Sequence, residues 1–252
     1  MKAVKDTNEE YHSKDSISAS GLKTIYKKSV KHFLDQKPFS SKAMELGTAV
    51  HTIMLEGSDK FYNDYYLLPK LDLRYKADKE QLKQHEKLAK GRKLLKEDEM
   101  YIIDKIMVNY RSNDLAQESC TGDVEVSHYG QFNGVDVRVR PDVIGADFIG
   151  DVKTCQDNSP QAFRRDIYKY NYHLQACFYS DVLGYDPAKF RFIAVETNHP
   201  YSVQVYKLKD ETIEKGREAY NKALNLWKLY KETGIVSGYV SDDQMEDGTI
   251  LI

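Results

Sequence analysis

The chain has 252 residues, 41% of them hydrophobic and 30% charged, with a formal net charge of −2 from 37 basic and 39 acidic side chains. That length and apolar fraction allow a real core, and no stretch approaches the ~18 consecutive apolar residues of a membrane span. The near-neutral charge counts against a protein that grips nucleic acid by bulk charge, although local distribution matters more than the total. The three cysteines, Cys120, Cys155 and Cys177, are odd in number and widely spaced. They exclude a disulfide framework, argue against a four-cysteine iron–sulfur cluster, and fit a reducing cytoplasm. No signal-peptide-like apolar segment opens the chain, so the expected location is cytoplasmic.

Residues 1–14 are polar and read as a flexible arm, with one domain expected over 15–240 and an acidic tail over 241–252. Ser20 is a plausible N-cap for a helix of about 16 residues. That helix carries Lys23, Lys27, Lys28 and Lys31 with His32, by default a solvated face and alternatively a phosphate-contacting stripe. A second helix is predicted over 41–57, capped by Ser40 or Ser41 and stopped by Gly57. Within it Gly47 and His51 lie four apart on one face, and a mid-helix glycine often marks close approach by other backbone. Residues 58–78 read as loop, and 79–118 as two helical pieces meeting near Gly91, with no chemistry assigned.

Residues 123–129 form a predicted strand, joined by a turn at Gln131–Gly134 to the next one, and Glu125 on the first is a second-rank acidic candidate. Residues 136–144 and 148–154 alternate in period two and read as a hairpin. Asp136, Arg138, Arg140 and Asp142 then share a face of the first strand, and Asp151 and Lys153 share one of the second. A turn centred on Ala146 and Asp147 sets Asp142 opposite Asp151, about 5 Å away, where like charges repel. A hard divalent ion with oxygen ligands would remove that liability, and Lys153 would reach the same spot. Pro160 opens a predicted helix over 160–183, on which Gln175 and Tyr179 share a face. Strands follow at 189–197 and 202–208. A structural helix over 210–234 closes the fold, with Ala219, Ala223, Leu226 and Leu229 as its apolar stripe.

Helix, three strands, helix, two strands, helix is the order of a mixed α/β or α+β domain. Four of its elements have a further pattern: Gly47-x-x-x-His51, Arg140-Pro141-Asp142, Asp151-Val152-Lys153 and Gln175-x-x-x-Tyr179. In that order they resemble the PD-(D/E)XK nuclease superfamily. The Gln-x-x-x-Tyr element is similar to its RecB-type branch, and the surrounding Tyr172–Asp181 run to the exonuclease VIII (RecE) group. The resemblance spans roughly residues 17–232 and is weak in the middle.

It implies a central five-stranded mixed sheet flanked by helices, with the site at one end. It implies that His51, Asp142, Asp151 and the carbonyl of Val152 hold one or two Mg²⁺, with Mn²⁺ able to substitute because His51 is a nitrogen ligand. Lys153 would orient or deprotonate water or stabilise developing charge, and Gln175 and Tyr179 would support the site and the DNA end. The implied activity is an exodeoxyribonuclease that resects linear double-stranded DNA 5′→3′ for homologous recombination, of phage or prophage origin. The implied partners are DNA ends, copies of itself in a homotetrameric ring with Lys23, Lys27 and Lys31 on its inner wall, and a phage single-strand annealing protein. The rivals are an endonuclease or single-strand nuclease of the same fold, and a degenerate module that holds DNA ends without cutting. The intact Asp142, Asp151 and Lys153 set argues against the last.

Overall fold

A computed structural model describes residues 1–37, 39–239 and 249. In chain order the elements are β1 (Lys2–Val4), α1 (Asn8–Ser13), β2 (Ile17–Ser18), α2 (Ala19–Lys27), α3 (Val30–Leu34) and α4 (Lys42–His51). A π-helical turn over Thr52–Glu56 leads into α5 (Gly57–Asp64) and β3 (Tyr65–Leu67), followed by α6 (Lys76–Ala89), β4 (Lys93–Leu95), α7 (Glu97–Arg111) and α8 (Asp114–Ser119). Then come β5 (Asp123–Val124), β6 (Ser127–Phe132), β7 (Val135–Val139), β8 (Val143–Ile144) and β9 (Ile149–Cys155). The chain continues through α9 (Pro160–Lys169), α10 (Tyr172–Leu183), β10 (Arg191–Glu196), β11 (Val203–Tyr206) and α11 (Asp210–Thr233).

The central sheet has five strands in the order β11-β10-β9-β8-β5. It is mixed: β9 and β10 run parallel, and the other pairings are antiparallel. Period-two alternation divides β10 between two cores. Phe192 and Ala194 face a core shared with α2, α10 and α11, whereas Ile193 and Val195 face one shared with α4, α5 and α7. Each such large apolar side chain contributes about 1.5–3 kcal/mol on burial, so the sheet is held from both faces. On β9, Ile149 belongs to the first core and Val152 to the second, which puts Asp151 and Lys153 on the α10 side.

A second, four-stranded sheet, β1-β6-β7-β2, was not foreseen. It corrects two expectations. Residues 1–14 are not a loose arm: β1 pairs antiparallel with β6, and α1 buries Tyr11. Nor is 136–144 one strand. Pro141 has no amide hydrogen for a ladder, and here the chain leaves the four-stranded sheet after Val139 and joins the central sheet at Val143. Asp136 and Arg138 share a face of β7, exposed at Asp136 and buried at Arg138 against the carbonyls of Lys14 and Ser16, but Arg140 and Asp142 lie past the end of that strand, so the four do not line one face. The hairpin register is as expected, with Val143 opposite Gly150 and Ile144 opposite Ile149. The strand predicted over 123–129 is likewise split at Glu125, which has φ 53°. The Asn133-Gly134 turn joins β6 to β7, both residues having positive φ (51° and 78°) as the tightest hairpins require.

Two predicted helices are each broken in two. Ser29 accepts a hydrogen bond from the amide of His32 and starts α3, ending α2 early. Asn171, with φ 52°, separates α9 from α10; asparagine is among the few residues that adopt this conformation at low cost. The stretch 58–78 is not a loop but holds α5 and β3, and β3 pairs parallel with β4 inside the region expected to be wholly helical. Leu229, expected on the apolar stripe of α11, is 44% exposed. The acidic tail expected over 241–252 lies outside the described residues except for Thr249.

Candidate active site

The site gathers at the junction of the two sheets, where β8, β9, α4 and α10 meet. Alternation along β9 points Asp151 and Lys153 toward α10, and the break at Pro141 delivers Asp142 beside them. Asp142 Oδ2 accepts a hydrogen bond from the amide of Val152 at 2.6 Å. From the other side of the sheet, α4 brings His51, whose Nε2 lies 3.2 Å from Asp142 Oδ2 and 2.9 Å from the Val152 carbonyl oxygen. Gly47 makes that approach possible: a Cβ there would sit 2.9 Å from Thr154 Oγ1 on β9. Its mid-helix position is thus explained by a side chain rather than by backbone.

Two clusters of charge result. In the first, His51, Glu125 and Asp142 each place one ligand atom within 4.8 Å of the others. Glu125 Oε1 is 3.9 Å from His51 Nδ1. Burial, then the charge of Asp142, pushes the Glu125 carboxyl up to about 7. Burial likewise pushes Asp142 up to about 6, with the Asp151 charge adding to this and His51 and Lys153 opposing it.

In the second cluster Asp151 is fully buried and accepts a hydrogen bond on Oδ1 from Gln175 Nε2 at 2.7 Å. Its Oδ2 is ion-paired to Lys153 Nζ but receives no hydrogen bond of good geometry. Burial works against the Lys153 charge, and the carboxylates of Asp151 and Asp142 overcome it, so the pKa is raised and the ammonium is retained. The same Nζ lies 5.1 Å from the centroid of the Tyr172 ring.

These residues fit a divalent ion. Six ligands at about 2.1 Å around Mg²⁺ stand about 3 Å from their neighbours, and the 3.2 and 2.9 Å separations of His51 from Asp142 and Val152 match that spacing. Two carboxylates with raised pKa values and a fully buried carboxylate oxygen lacking a hydrogen bond are what a bound cation would satisfy. A cleft of about 790 Å³ opens here, lined by His51, Glu125, Arg140, Val152, Lys153 and Tyr172.

Sequence reasoning foresaw most but not all of this. His51, Asp142, Asp151, Val152, Lys153 and Gln175 are brought together. Tyr179 is not at the cleft but in the core beneath it, where burial drives its phenol pKa far up. Glu125, only a second-rank candidate, joins the cluster. Its left-handed backbone hides its direction from any strand periodicity. Arg140 braces the motif by pairing with Asp6 at 2.7 Å, and Asp6 also accepts from Ser127 Oγ at 2.6 Å. Lys23, read as a surface lysine, reaches Gln175. Lys27, Lys28 and Lys31 line a separate cleft of about 720 Å³ with Lys23 and Lys169.

A metal-ion-ready cluster of this kind, built on the middle strand of a mixed five-stranded sheet, resembles a PD-(D/E)XK-type site. The chain belongs to the family described as the PDDEXK-like domain of unknown function (DUF3799), whose model matches residues 18–239. Its fold is also that of a crystal structure from Eubacterium rectale provisionally named an exonuclease. The identity is 14%, the match covers 95% of this chain and 92% of that chain, and the TM-score is 0.59. No curated protein matches the chain. Family, fold and site together support a nuclease. No helix among the described residues is long and apolar enough to cross a membrane.

Proposed function

We propose that the chain, through one nuclease domain over 15–240, is a metal-dependent exodeoxyribonuclease. It resects linear double-stranded DNA 5′→3′ to give single strands for recombination, as the exonuclease VIII (RecE) group does. The observation that carries the reading is the convergence of His51, Asp142 and the Val152 carbonyl from α4, the Pro141 break and β9, with Lys153 paired to Asp151 in the adjoining cluster.

Phosphodiester hydrolysis needs an activated water, an in-line approach and neutralisation of the charge that grows on the phosphate. His51, Asp142, Asp151 and the Val152 carbonyl would hold one or two Mg²⁺, which supply Lewis acidity and a water of lowered pKa. Glu125 adds a further carboxylate to the same cluster. Lys153 does the rest as a cation. Its raised pKa keeps the proton on Nζ at neutral pH, so it orients water and stabilises developing negative charge rather than acting as a resting base. Gln175 holds Oδ1 of Asp151 in place, and Tyr179, one turn further along α10, anchors that helix in the core beneath the cleft. The nitrogen of His51 makes Mn²⁺ an effective substitute.

The near-neutral total charge of −2 gives a weak bulk grip on DNA. A closed homotetrameric ring around the duplex supports processive action by topology instead. In it Lys23, Lys27 and Lys31 would lie toward the inner wall, and a phage single-strand annealing protein would receive the product. The site of action would be the cytoplasm.

Linear duplexes labelled at the 5′ or 3′ end, incubated with Mg²⁺ beside closed circular DNA, test the activity. The expected outcome is processive release of the 5′ label, circles left intact, and no cleavage in chelator. Prompt nicking of circles would favour the endonuclease, and end binding without cleavage the degenerate module. A monomer by light scattering at the active concentration would reject the ring.

A further inference from the structure

Outside the superfamily motifs and the carboxylate cluster, Lys23 is tied to the site through Gln175. Helix α2 buries Ala19, Leu22 and Ile25 and packs on α10 and α11. That stripe leaves Lys23 on its flank, facing α10 rather than water. Its Nζ donates a hydrogen bond to Gln175 Oε1 and lies 5.2 Å from the centroid of the Tyr172 ring, which Lys153 also approaches. We infer that Lys23 is a positioning residue of the nuclease site: it locks the Gln175 side-chain amide so that Nε2 can only face Asp151, and thereby fixes which Asp151 oxygen is free for the metal and Lys153.

The argument is one of donor and acceptor roles. A lysine offers no acceptor when charged, whereas a glutamine amide has one of each and is free to flip. With Lys23 on one side, the oxygen of Gln175 must face it. The NH₂ group then faces Asp151 Oδ1, and the 2.7 Å hydrogen bond forms. Flipped, the amide would set its oxygen against a buried carboxylate and its NH₂ against an ammonium, two repulsive contacts at once. Oδ2 of Asp151 is left for Lys153 and the ion. Burial, followed by the charge of Lys153, lowers Lys23 to about 7. Either form donates to Oε1, and where the amine is neutral and could also accept, the flip is still opposed by the contact it would make between the amide oxygen and the Asp151 carboxylate.

The kinetic side rests on the nuclease reading, so the test has an arm that does not. Lys23→Met keeps the apolar stem and removes the donor, and Gln175→Met removes the relay. By calorimetry of Mn²⁺ alone, each single variant is expected to bind about tenfold more weakly, with the double variant no worse than the weaker single. On linear duplex, kcat is expected to fall about ten- to a hundredfold with KM within about twofold. Lys23→Arg restores a donor and is expected to recover most of the loss, and it also serves if Lys23→Met does not fold. Wild-type Mn²⁺ affinity in folded Lys23→Met would overturn the inference. So would a raised KM with unchanged kcat and a flatter salt dependence, the behaviour of a mere phosphate contact. A wild-type protein that cleaves nothing would instead overturn the nuclease reading, and the Mn²⁺ arm would still decide the role of Lys23.

Discussion

The two halves of the site solve the problem of buried charge differently. Around Asp151 the protein neutralises itself: Lys153 pairs with one oxygen, Gln175 donates to the other, and Lys23 braces Gln175. Around Asp142 it does not. Glu125 and Asp142 both lie beside one histidine, and both carboxyl groups are pushed toward neutrality by burial, Glu125 further by the charge of Asp142 and Asp142 further by that of Asp151. One half is therefore neutralised as folded, with only Oδ2 of Asp151 still without a hydrogen bond, and can hold geometry. The other stores electrostatic repulsion that a cation would relieve, and so selects for one. Position and binding energy are assigned to different residues only a few ångströms apart.

The sharpest way to break this division is Asp142→Asn. It keeps the shape and the contact with the Val152 amide oxygen-side only, and removes a charge from the metal half. Cleavage should fall by about a thousandfold or more, with Mn²⁺ binding lost by calorimetry. Retained cleavage in Mg²⁺ would show that the carboxylate is dispensable. Lys153→Met attacks the self-neutralised half instead. The chemical step should slow by about a hundredfold while Mn²⁺ still binds, measured by single-turnover cleavage beside calorimetry. Loss of binding there would mean that the two halves are not separable. Third in size is His51→Ala, for which metal affinity should fall about ten- to a hundredfold and the preference for Mn²⁺ over Mg²⁺ should weaken. Equal rates in both metals, unchanged from wild type, would return His51 to packing.

The smallest effect sharpens the comparison without any catalysis. Folded Asp142 and Glu125 have pKa values of about 6 and about 7, raised from 3.8 and 4.5. Groups that bind protons more tightly when folded make the fold more stable as pH falls, here from above 7 down to about 4.5. Melting of metal-free protein should thus rise by about 2–4 °C between pH 8 and pH 5.5. Asp142→Asn should flatten that slope, and Mn²⁺ should abolish it. A melting temperature that falls over the same interval would show that the metal half is not strained.

What was legible in the sequence follows the same physics. Period-two alternation gave β9 and the register of its hairpin correctly, because a one-residue slip would bury charge and expose valine. The helix ends at Gly184 and Gly234 were visible because both glycines take positive φ. Hidden features were those set by single residues with two readings. Ser29 and Asn171 pass for ordinary helical positions until the tertiary structure asks for a bend. Pro141 reads as a motif residue and is also the point where the chain changes sheets. Glu125 and Lys23 could not be placed because their direction depends on a left-handed residue in one case and on packing against α10 in the other. The N-terminal strand escaped notice since three residues, Lys2–Val4, carry too little periodicity to register.

The lengths of the strands have a consequence for motion. β9 has seven residues, six of them paired to β10 and two to β8, whereas β8 and β5 have two residues each. Amide exchange with solvent should therefore be slowest at Asp151 to Thr154, at the level of global unfolding, and much faster at Val124 and Val143, where short edge pairs open locally. The backbone that carries Asp151 and Lys153 is a fixed platform. The segments that carry Glu125 and Asp142 can breathe on a faster timescale, letting an ion enter and leave without unsettling the strand against which it is held.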